Sequence, residues 1–373
     1  MQVVRTLIDT GYQAYLTGFS ALDRYFGLED PGMVSLATDA GLIDLCSLFE
    51  EASFPGNYTA DVAVSDSQSN TCFLIRSVDH EAEFQGSLRY TSFRYDCLTH
   101  AYRDPEDIYW DLRNPGELDI PLPDSSSVTR GWAVVSDAAI LAARYGFTAG
   151  RETVHMLASH GQRCAMRLDQ MEQHMLLRQV LLSRDPASAL RILMESGFID
   201  RHWPIIAAMR GISQSKDFHP EGDVWEHTLE TFSYLKHPDL LVSLALLLHD
   251  SGKPKSQRQG KNLFDQHAQI GSNMAAAFLS SLNFDASLVR GAAFLIREHM
   301  VPSYIPKLSV YRTEKTMNSP LFPQLLELFR CDLSATFQGI DSYYAACEAY
   351  RRYLRHRNSP YRNSDGSLRR HHG

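Results

Sequence analysis

The stretch ALLLHDSGKP, residues 245–254, ends an apolar run with a histidine and an aspartate side by side. The run predicts a buried helix, because its apolar residues continue through whole helical turns. A buried carboxylate without a partner is costly, so the His249-Asp250 doublet needs a physical reason to stand there. Metal coordination is the simplest one. The stretch therefore predicts a helical core with a metal site at the end of one helix.

Further residues of the same chemistry lie on other segments with helical periodicity. They are His227 in HPEGDVWEHTLE, His267 in FDQHAQIG, His299 in IREHM and Asp332 in FRCDLSA. In a helical bundle such positions can converge on one interior pocket. Any one of these histidines alone is better explained as an ordinary core or surface residue, as we expect for His202 and His237. The ordered set, together with the doublet, is what favours a metal.

We expect this set to hold two divalent ions. Neighbouring residues on a helix point about 100° apart, so His249 can bind one ion while Asp250 bridges to the other. The first ion would be held by His227, His249 and Asp332, and the second by His267 and His299. A set rich in histidine favours Mn²⁺, Fe, Co²⁺, Ni²⁺ or Zn²⁺ over Mg²⁺, which prefers oxygen ligands.

Two residues near the set are candidates for binding a substrate. Lys253, one turn after the doublet, could neutralise a phosphate group, and His219 could line the mouth of the site. We expect Asp250 and Lys253 to be the catalytic residues. Alternatively, Lys253 is a helix-end cation that faces solvent, and His219 only stabilises a loop.

The ordered segments HPEGDVWEHT, LLLHDSGKP, HAQIG and EH, followed by a late Asp, resemble the HD-domain metal phosphohydrolases. The first segment is especially similar to the HD domain of the bacterial tRNA nucleotidyltransferases, the CCA-adding and poly(A) polymerase family. Residues 10–40 resemble the nucleotidyltransferase head of that family, and residues 183–206 resemble its neck. The resemblance implies an α+β fold. It divides into a small α/β nucleotidyltransferase-like head (1–121), a helical neck (122–200), an all-α HD domain (201–345) and a basic C-terminal tail (346–373).

The head departs from that family at the positions that carry its chemistry. The family pattern has two glycines, then Arg-Asp, then Asp-x-Asp. Here Gly18 is followed by phenylalanine, Leu22 stands at the arginine position beside a retained Asp23, and Met33 and Ser35 replace the Asp-x-Asp pair. Nucleotidyl transfer uses Mg²⁺ ions held by carboxylates. We therefore expect a head that keeps the fold and has lost polymerase catalysis.

Asp39 follows these positions closely. It could replace a lost metal ligand, or it could cap the helix that begins in TDAGLIDL.

The resemblance and the ligand set together predict a metal-dependent phosphohydrolase. Its expected partners are a phosphoester substrate, a nucleotide or an RNA 3′ end, and tRNA. Two alternatives remain open. One is an active CCA-adding tRNA nucleotidyltransferase or polynucleotide adenylyltransferase, and the other is a non-catalytic RNA-binding protein with a structural metal.

Composition limits the remaining classes. The formal net charge of −8 excludes a global basic field, although the arginine-rich end could contact RNA or form a solvated helix face. The six cysteines are scattered, which favours reduced thiols in the cytoplasm over a disulfide framework. We expect no signal peptide, and no apolar run reaches the roughly 20 residues that span a bilayer. A cytoplasmic protein with no membrane partner is therefore predicted.

Overall fold

The computed structural model describes residues 2–28, 32–55, 60–66, 71–79, 86–214, 222–256 and 266–357. They form a mixed α+β fold with a small sheet and many helices, which confirms the predicted fold class. The chain divides into two compact units. Residues 1–169 with 195–197 form the first, which we call the head unit, and residues 170–194 with 198–373 form the second, the helical unit.

The sheet of the head unit has six strands in the order β3-β4-β2-β1-β5-β6. They are β1 (Tyr15–Thr17), β2 (Met33–Thr38), β3 (Val62–Asp66), β4 (Thr71–Ser77), β5 (Arg94–Asp96) and β6 (Ala101–Arg103). Strands β2 and β4 pair in parallel and the other pairs are antiparallel. Strands are predicted in AYLTGF, DVAVSD and TCFLIRSVD, and these are confirmed as β1, β3 and β4.

The helices of the head unit lie before, between and after these strands in the sequence. They are α1 (Gln2–Asp9), α2 (Phe19–Phe26), α3 (Leu42–Leu48), α4 (Tyr109–Arg113), α5 (Ser127–Tyr145) and α6 (Arg151–Arg163). The predicted end of α5 at Gly146 is confirmed, since this glycine has a φ of 81° that other residues rarely adopt.

The helical unit contains the remaining helices. They are α7 (Gln170–Leu181), α8 (Pro186–Glu195), α9 (Phe198–His202), α10 (Pro204–Ala207), α11 (Val224–Phe232), α12 (Leu240–Leu248), α13 (Lys253–Ser256), α14 (His267–Ser281), α15 (Ala286–Glu298), α16 (Val310–Met317), α17 (Phe322–Ser334) and α18 (Asp341–Arg357). Helix α12 is buried from Val242 to Leu248 and packs against α11, α14, α15 and α17. It is the centre of this unit's core, as its apolar sequence predicts.

The predicted domain boundaries stay predictions, because compact units defined by contacts need not coincide with domains. Helices α5 and α6 pack together within the head unit, whereas α7 and α8 belong mainly to the helical unit, so the predicted neck is split between them. The predicted tail is helical up to Arg357, and its remaining residues lie outside the described part. Along the described chain, no helix combines the length and apolar character that a membrane span requires.

A partly buried carboxyl in the head unit gives stability a pH dependence. Asp137 on α5 accepts hydrogen bonds from the hydroxyls of Ser87 and Thr91, and burial raises the pKa of its carboxyl to about 6. Because the folded pKa of this carboxyl lies above the unfolded one, its contribution to stability is most favourable at low pH and becomes less favourable as pH rises through about 6. We expect Asp137→Asn to remove a loss on the order of 2 kcal/mol between pH 4 and pH 7.

Urea unfolding followed by hydrogen exchange of α5 peptides measures this effect. The exposed Asp107→Asn variant should keep the wild-type pH profile. An Asp137→Asn profile parallel to that of the wild type would contradict the prediction.

Candidate metal centre in the helical unit

Six polar side chains converge in the interior of the helical unit. They are His227 on α11, His249 and Asp250 directly after α12, His267 at the start of α14, His299 directly after α15, and Asp332 on α17. These are the six residues predicted as metal ligands. The structure brings them together, and their role in binding metal stays a prediction.

The first ligand set consists of His227, His249 and Asp332, whose ligand atoms all lie within 4.8 Å of one another. His227 Nε2 is 2.9 Å from Asp332 Oδ1, and His249 Nε2 is 3.7 Å from the same oxygen. Both histidines are buried. The geometry brings two imidazole nitrogens and a carboxylate oxygen to one point, which is a common arrangement for a first-row transition metal.

The second ligand set consists of Asp250, His267 and His299, also within 4.8 Å of one another. His267 Nε2 lies 3.3 Å from His299 Nε2 and 3.7 Å from Asp250 Oδ1. Asp250 also reaches the first set, because its Oδ2 is 3.3 Å from His249 Nε2. The carboxylate therefore lies between the two sets, where the sequence analysis expects a bridging ligand.

The hydrogen bonds of two histidines orient their Nε2 atoms towards the centre. His249 Nδ1 donates to the Leu246 carbonyl at 2.8 Å, and His299 Nδ1 donates to the Ile296 carbonyl at 2.7 Å. Since the carbonyls only accept, each neutral ring carries its lone pair on Nε2. His249 Nε2 is buried and makes no hydrogen bond among the described residues. A buried lone pair with no donor fits a cation.

The protonation states of His299 and Asp250 suit a metal. Burial, and then the neighbouring His249, lower the pKa of His299 to about 4, so this ring is neutral at pH 7. Burial would raise the pKa of Asp250, but Lys253 and His249 outweigh it and hold this pKa well below its usual range. Burial would likewise lower the pKa of His249, but Asp250 and Asp332 leave it raised, so a metal ion at this ring would have to displace a proton. Neutral imidazole and ionised carboxylate are the forms that bind metal ions.

Lys253 is buried rather than solvent-facing, with 7% of its surface exposed. Its Nζ lies 2.6 Å from Asp250 Oδ2 and donates to Gln214 Oε1 at 2.6 Å. The alternative of a solvent-facing helix-end cation is therefore wrong. His219 lies outside the described residues.

Two residues of this region have no signal in the sequence analysis. Gln214 precedes the first ligand by more than three helical turns of sequence and has no motif spacing to it. Gly252 lies against the start of α14, where an added Cβ would come 2.0 Å from the His267 carbonyl oxygen. Glycine at this position lets α14 approach, and so allows His267 to reach the centre.

The predicted nucleotide positions lie at one end of the head sheet. Gly18 follows β1 with a φ of 54°, and the Ser35 amide on β2 donates to Ser20 Oγ at 2.9 Å. Met33 and Ser35 place no carboxylate at this end. Within the described part of the head, no three His, Cys, Asp or Glu side chains form a metal-sized group.

Asp39 lies at the opposite end of β2 and accepts the Gln13 amide at 2.7 Å. Asp39 is six positions after Met33 and four after Ser35 in the sequence, about 20 Å and about 13 Å at roughly 3.3 Å per residue. It therefore cannot replace a ligand there, and the expectation that it might is wrong. It also does not cap α3, which begins after Gly41 with Asp44 accepting the Gly41 amide.

The fold as a whole is that of the CCA-adding enzymes. A Bacillus stearothermophilus CCA-adding enzyme in complex with CTP superposes with a TM-score of 0.56 at 16% identity, over 95% of this chain and 81% of that one. A tRNA nucleotidyltransferase complexed with a primer tRNA and an incoming ATP analogue gives 0.50 at 13% identity, over 94% and 99%. At these identities the likeness establishes the fold alone.

Curated relatives add a likeness in sequence. A CC-adding tRNA nucleotidyltransferase of Thermus thermophilus is 30% identical over 214 residues, 54% of this chain and 48% of the relative. An A-adding tRNA nucleotidyltransferase of Deinococcus radiodurans is 31% identical over 172 residues, 44% and 38% respectively. The chain thus spans half or less of these relatives, and no family model matches it. Relatives and fold together support a relationship to the CCA-adding tRNA nucleotidyltransferases.

These comparisons overturn one expectation. The chain is predicted to be a metal-dependent phosphohydrolase, and this is wrong, because relatives and solved structures point to a transferase. The physical reason is that a ligand set indicates which ions bind and leaves the attacking group undetermined. The HD-domain assignment and the loss of head catalysis stay predictions. The catalytic roles of Asp250 and Lys253 also stay predictions.

Proposed function

We propose that the protein acts on the 3′ ends of tRNA as a nucleotidyltransferase of the CCA-adding type, with CTP or ATP as its second substrate. The observation that carries this proposal is the 30% identity over 214 residues to a CC-adding relative. Such a sequence likeness goes beyond what a shared fold requires. The fold, which matches that of a CCA-adding enzyme over 95% of the chain, is compatible with this activity.

In this reaction the 3′ hydroxyl of the tRNA attacks the α-phosphorus of the nucleotide. A new phosphodiester bond forms, the bond to the β-phosphate breaks, pyrophosphate leaves, and the hydroxyl proton passes to solvent or a base. Two metal ions normally neutralise the phosphate charge and need carboxylate ligands. Met33 and Ser35 provide none, so we propose that transfer is slow because ions bind weakly at this end of the sheet.

The direct test is incorporation of labelled CTP or ATP into a tRNA that lacks its 3′ end, with Mg²⁺ or Mn²⁺. We expect slow incorporation by the wild type. A Met33→Asp/Ser35→Asp double variant should raise the rate at least about tenfold, because it supplies two carboxylates for the ions.

A Met33→Asn/Ser35→Asn variant is the matched control. It has nearly the same size without the charge, and it should leave the rate unchanged. A wild-type protein that incorporates nothing at any metal concentration would overturn the transferase proposal, whatever the double variant does.

Because Met33 and Ser35 stand where the family has its Asp-x-Asp carboxylates, a second function is also favoured. The chain would then bind tRNA ends without extending them. Tight, salt-dependent tRNA binding by a wild type that incorporates no nucleotide would identify this function.

Whether the chain extends tRNA ends or only binds them, we propose a separate metal-binding role for the helical unit. We propose that the two ligand sets hold two divalent ions, with Mn, Fe, Co, Ni or Zn favoured over Mg by the imidazole ligands. When bound, such ions supply positive charge for phosphate groups. His227, His249 and Asp332 would hold one, and His267 and His299 the other, with Asp250 shared.

A further inference from the structure

A buried ammonium group pairs with a carboxylate that the second metal ion would need. Lys253 Nζ is 2.6 Å from Asp250 Oδ2, and Asp250 is one of the three residues of the second ligand set. The lysine is buried together with this carboxylate. A buried charge needs a partner of opposite sign, so Lys253 and a metal ion both depend on the same carboxylate.

Gln214 holds the ammonium from a different segment of the chain. Its Oε1 accepts from Lys253 Nζ at 2.6 Å, while its Nε2 donates to the Asp223 carbonyl at 3.3 Å. The backbone N–H of Gln214 also donates to the Gly222 carbonyl at 3.1 Å. Gln214 is 4% exposed, so its side chain is fixed between Lys253 and the start of α11.

The start of α11 is itself well fixed. The Asp223 carboxylate caps it by accepting the Trp225 and Glu226 amides, and the His227 amide donates to the Asp223 carbonyl. Gln214 is therefore tied to the helix that carries a ligand of the first set. The first set has three ligand residues without Asp250, whereas Asp250 is one of the three residues of the second set. Pairing of Asp250 with Lys253 therefore affects the second set more than the first.

We propose that Lys253, positioned by Gln214, is an internal cation that competes with the second metal ion for Asp250. The first set then binds its ion tightly, and the second set binds only when the ammonium is displaced from the carboxylate. Gln214 is a positioning residue in this arrangement, because it stabilises the state in which the Lys253 ammonium is paired with Asp250. The inference rests on the metal centre proposed above and is independent of nucleotidyl transfer.

Calorimetric titration of the chelator-treated full chain with Co²⁺ tests the competition. For the wild type we expect two binding events with Kd values at least about tenfold apart. Lys253→Met should strengthen the weaker event by about tenfold and change the stronger one by less than about threefold. Gln214→Leu should strengthen the weaker event by a smaller factor, because it destabilises only the state with Lys253 in place.

Two controls separate competition from a general effect of charge or folding. Lys255→Met removes an exposed lysine of the same helix and should change neither Kd. Lys253→Arg keeps the charge and should leave the weaker event weak, with circular dichroism showing the wild-type helix content in every variant.

The outcomes distinguish this inference from the proposal on which it rests. No Co²⁺ binding by the wild type would overturn the metal centre itself. Two events that stay unchanged or weaken in both Lys253→Met and Gln214→Leu would overturn the competition and leave the metal centre intact.

Discussion

Replacing Asp250 with alanine is expected to lower the bound divalent metal of the purified protein at least about tenfold. Two effects act in the same direction. The variant loses the carboxylate that lies between the two ligand sets, 3.3 Å from His249 Nε2 and 3.7 Å from His267 Nε2. It also leaves the buried Lys253 ammonium without its 2.6 Å partner, and this charge then repels a cation. Elemental analysis of metal per chain measures the loss.

A second variant separates the two effects. In Asp250→Ala/Lys253→Met the ligand is missing but no unpaired ammonium remains, so metal should return partly to the first set. Asp200→Ala, at an exposed carboxylate of the helical unit, should keep full metal content. If Asp250→Ala retained full metal, the interpretation of the six converging side chains as a metal centre would fail.

The ligand set could be predicted because each of its members stands at a recognisable place in a helical pattern. His249 and Asp250 end the most apolar helix of the chain, and a polar pair there has no ordinary explanation. The position of a residue at the end of such a helix is also predictable, because the buried apolar face determines which residue lies next to the core. The convergence of segments far apart in sequence then follows from burying all these faces in one unit.

Contacts made across segments could not be predicted in the same way. The burial of Lys253 depends on Gln214, which comes from a stretch without helical or strand periodicity. The position of Asp39 depends on the direction in which β2 pairs with β1, which places Ala37 opposite Tyr15 and so sends Asp39 to the far end of the sheet. Neither position can be predicted from the spacing of residues within one segment.

The type of reaction could not be predicted for a different reason. Imidazole and carboxylate ligands define an affinity for metal ions, and the same ions can activate water or organise a phosphate for another nucleophile. The chemistry of the ligands therefore could not choose between a hydrolase and a transferase. Sequence likeness over 214 residues could, because it compares whole segments rather than the ligands alone.

Asp23 is the residue of the family's Arg-Asp pattern that the head retains, and its surroundings give it a structural role. Its carboxylate is buried on α2, where Oδ1 accepts from Arg144 Nε at 2.8 Å and from the Tyr145 hydroxyl at 2.7 Å. Burial lowers the pKa of Arg144, but the Asp23 carboxylate outweighs it and leaves the pKa raised. Asp23 therefore ties α2 to the end of α5 within the head unit.

We expect Asp23→Ala to reduce the free energy of unfolding of the head unit by about 3–5 kcal/mol, because it removes the carboxylate that pairs with the buried Arg144 guanidinium. Urea titration with hydrogen exchange of α2 and α5 peptides reports on this unit alone. Asp111→Asn, which removes a half-exposed partner of Arg89, should cost no more than about 1 kcal/mol. The double variant Asp23→Ala/Arg144→Met should recover most of the loss, since an apolar side chain of similar length needs no partner. If Asp23→Ala instead kept wild-type stability and lost only divalent-ion binding by the head, Asp23 would be a metal ligand, and the head would retain more of the family's chemistry than Met33 and Ser35 imply.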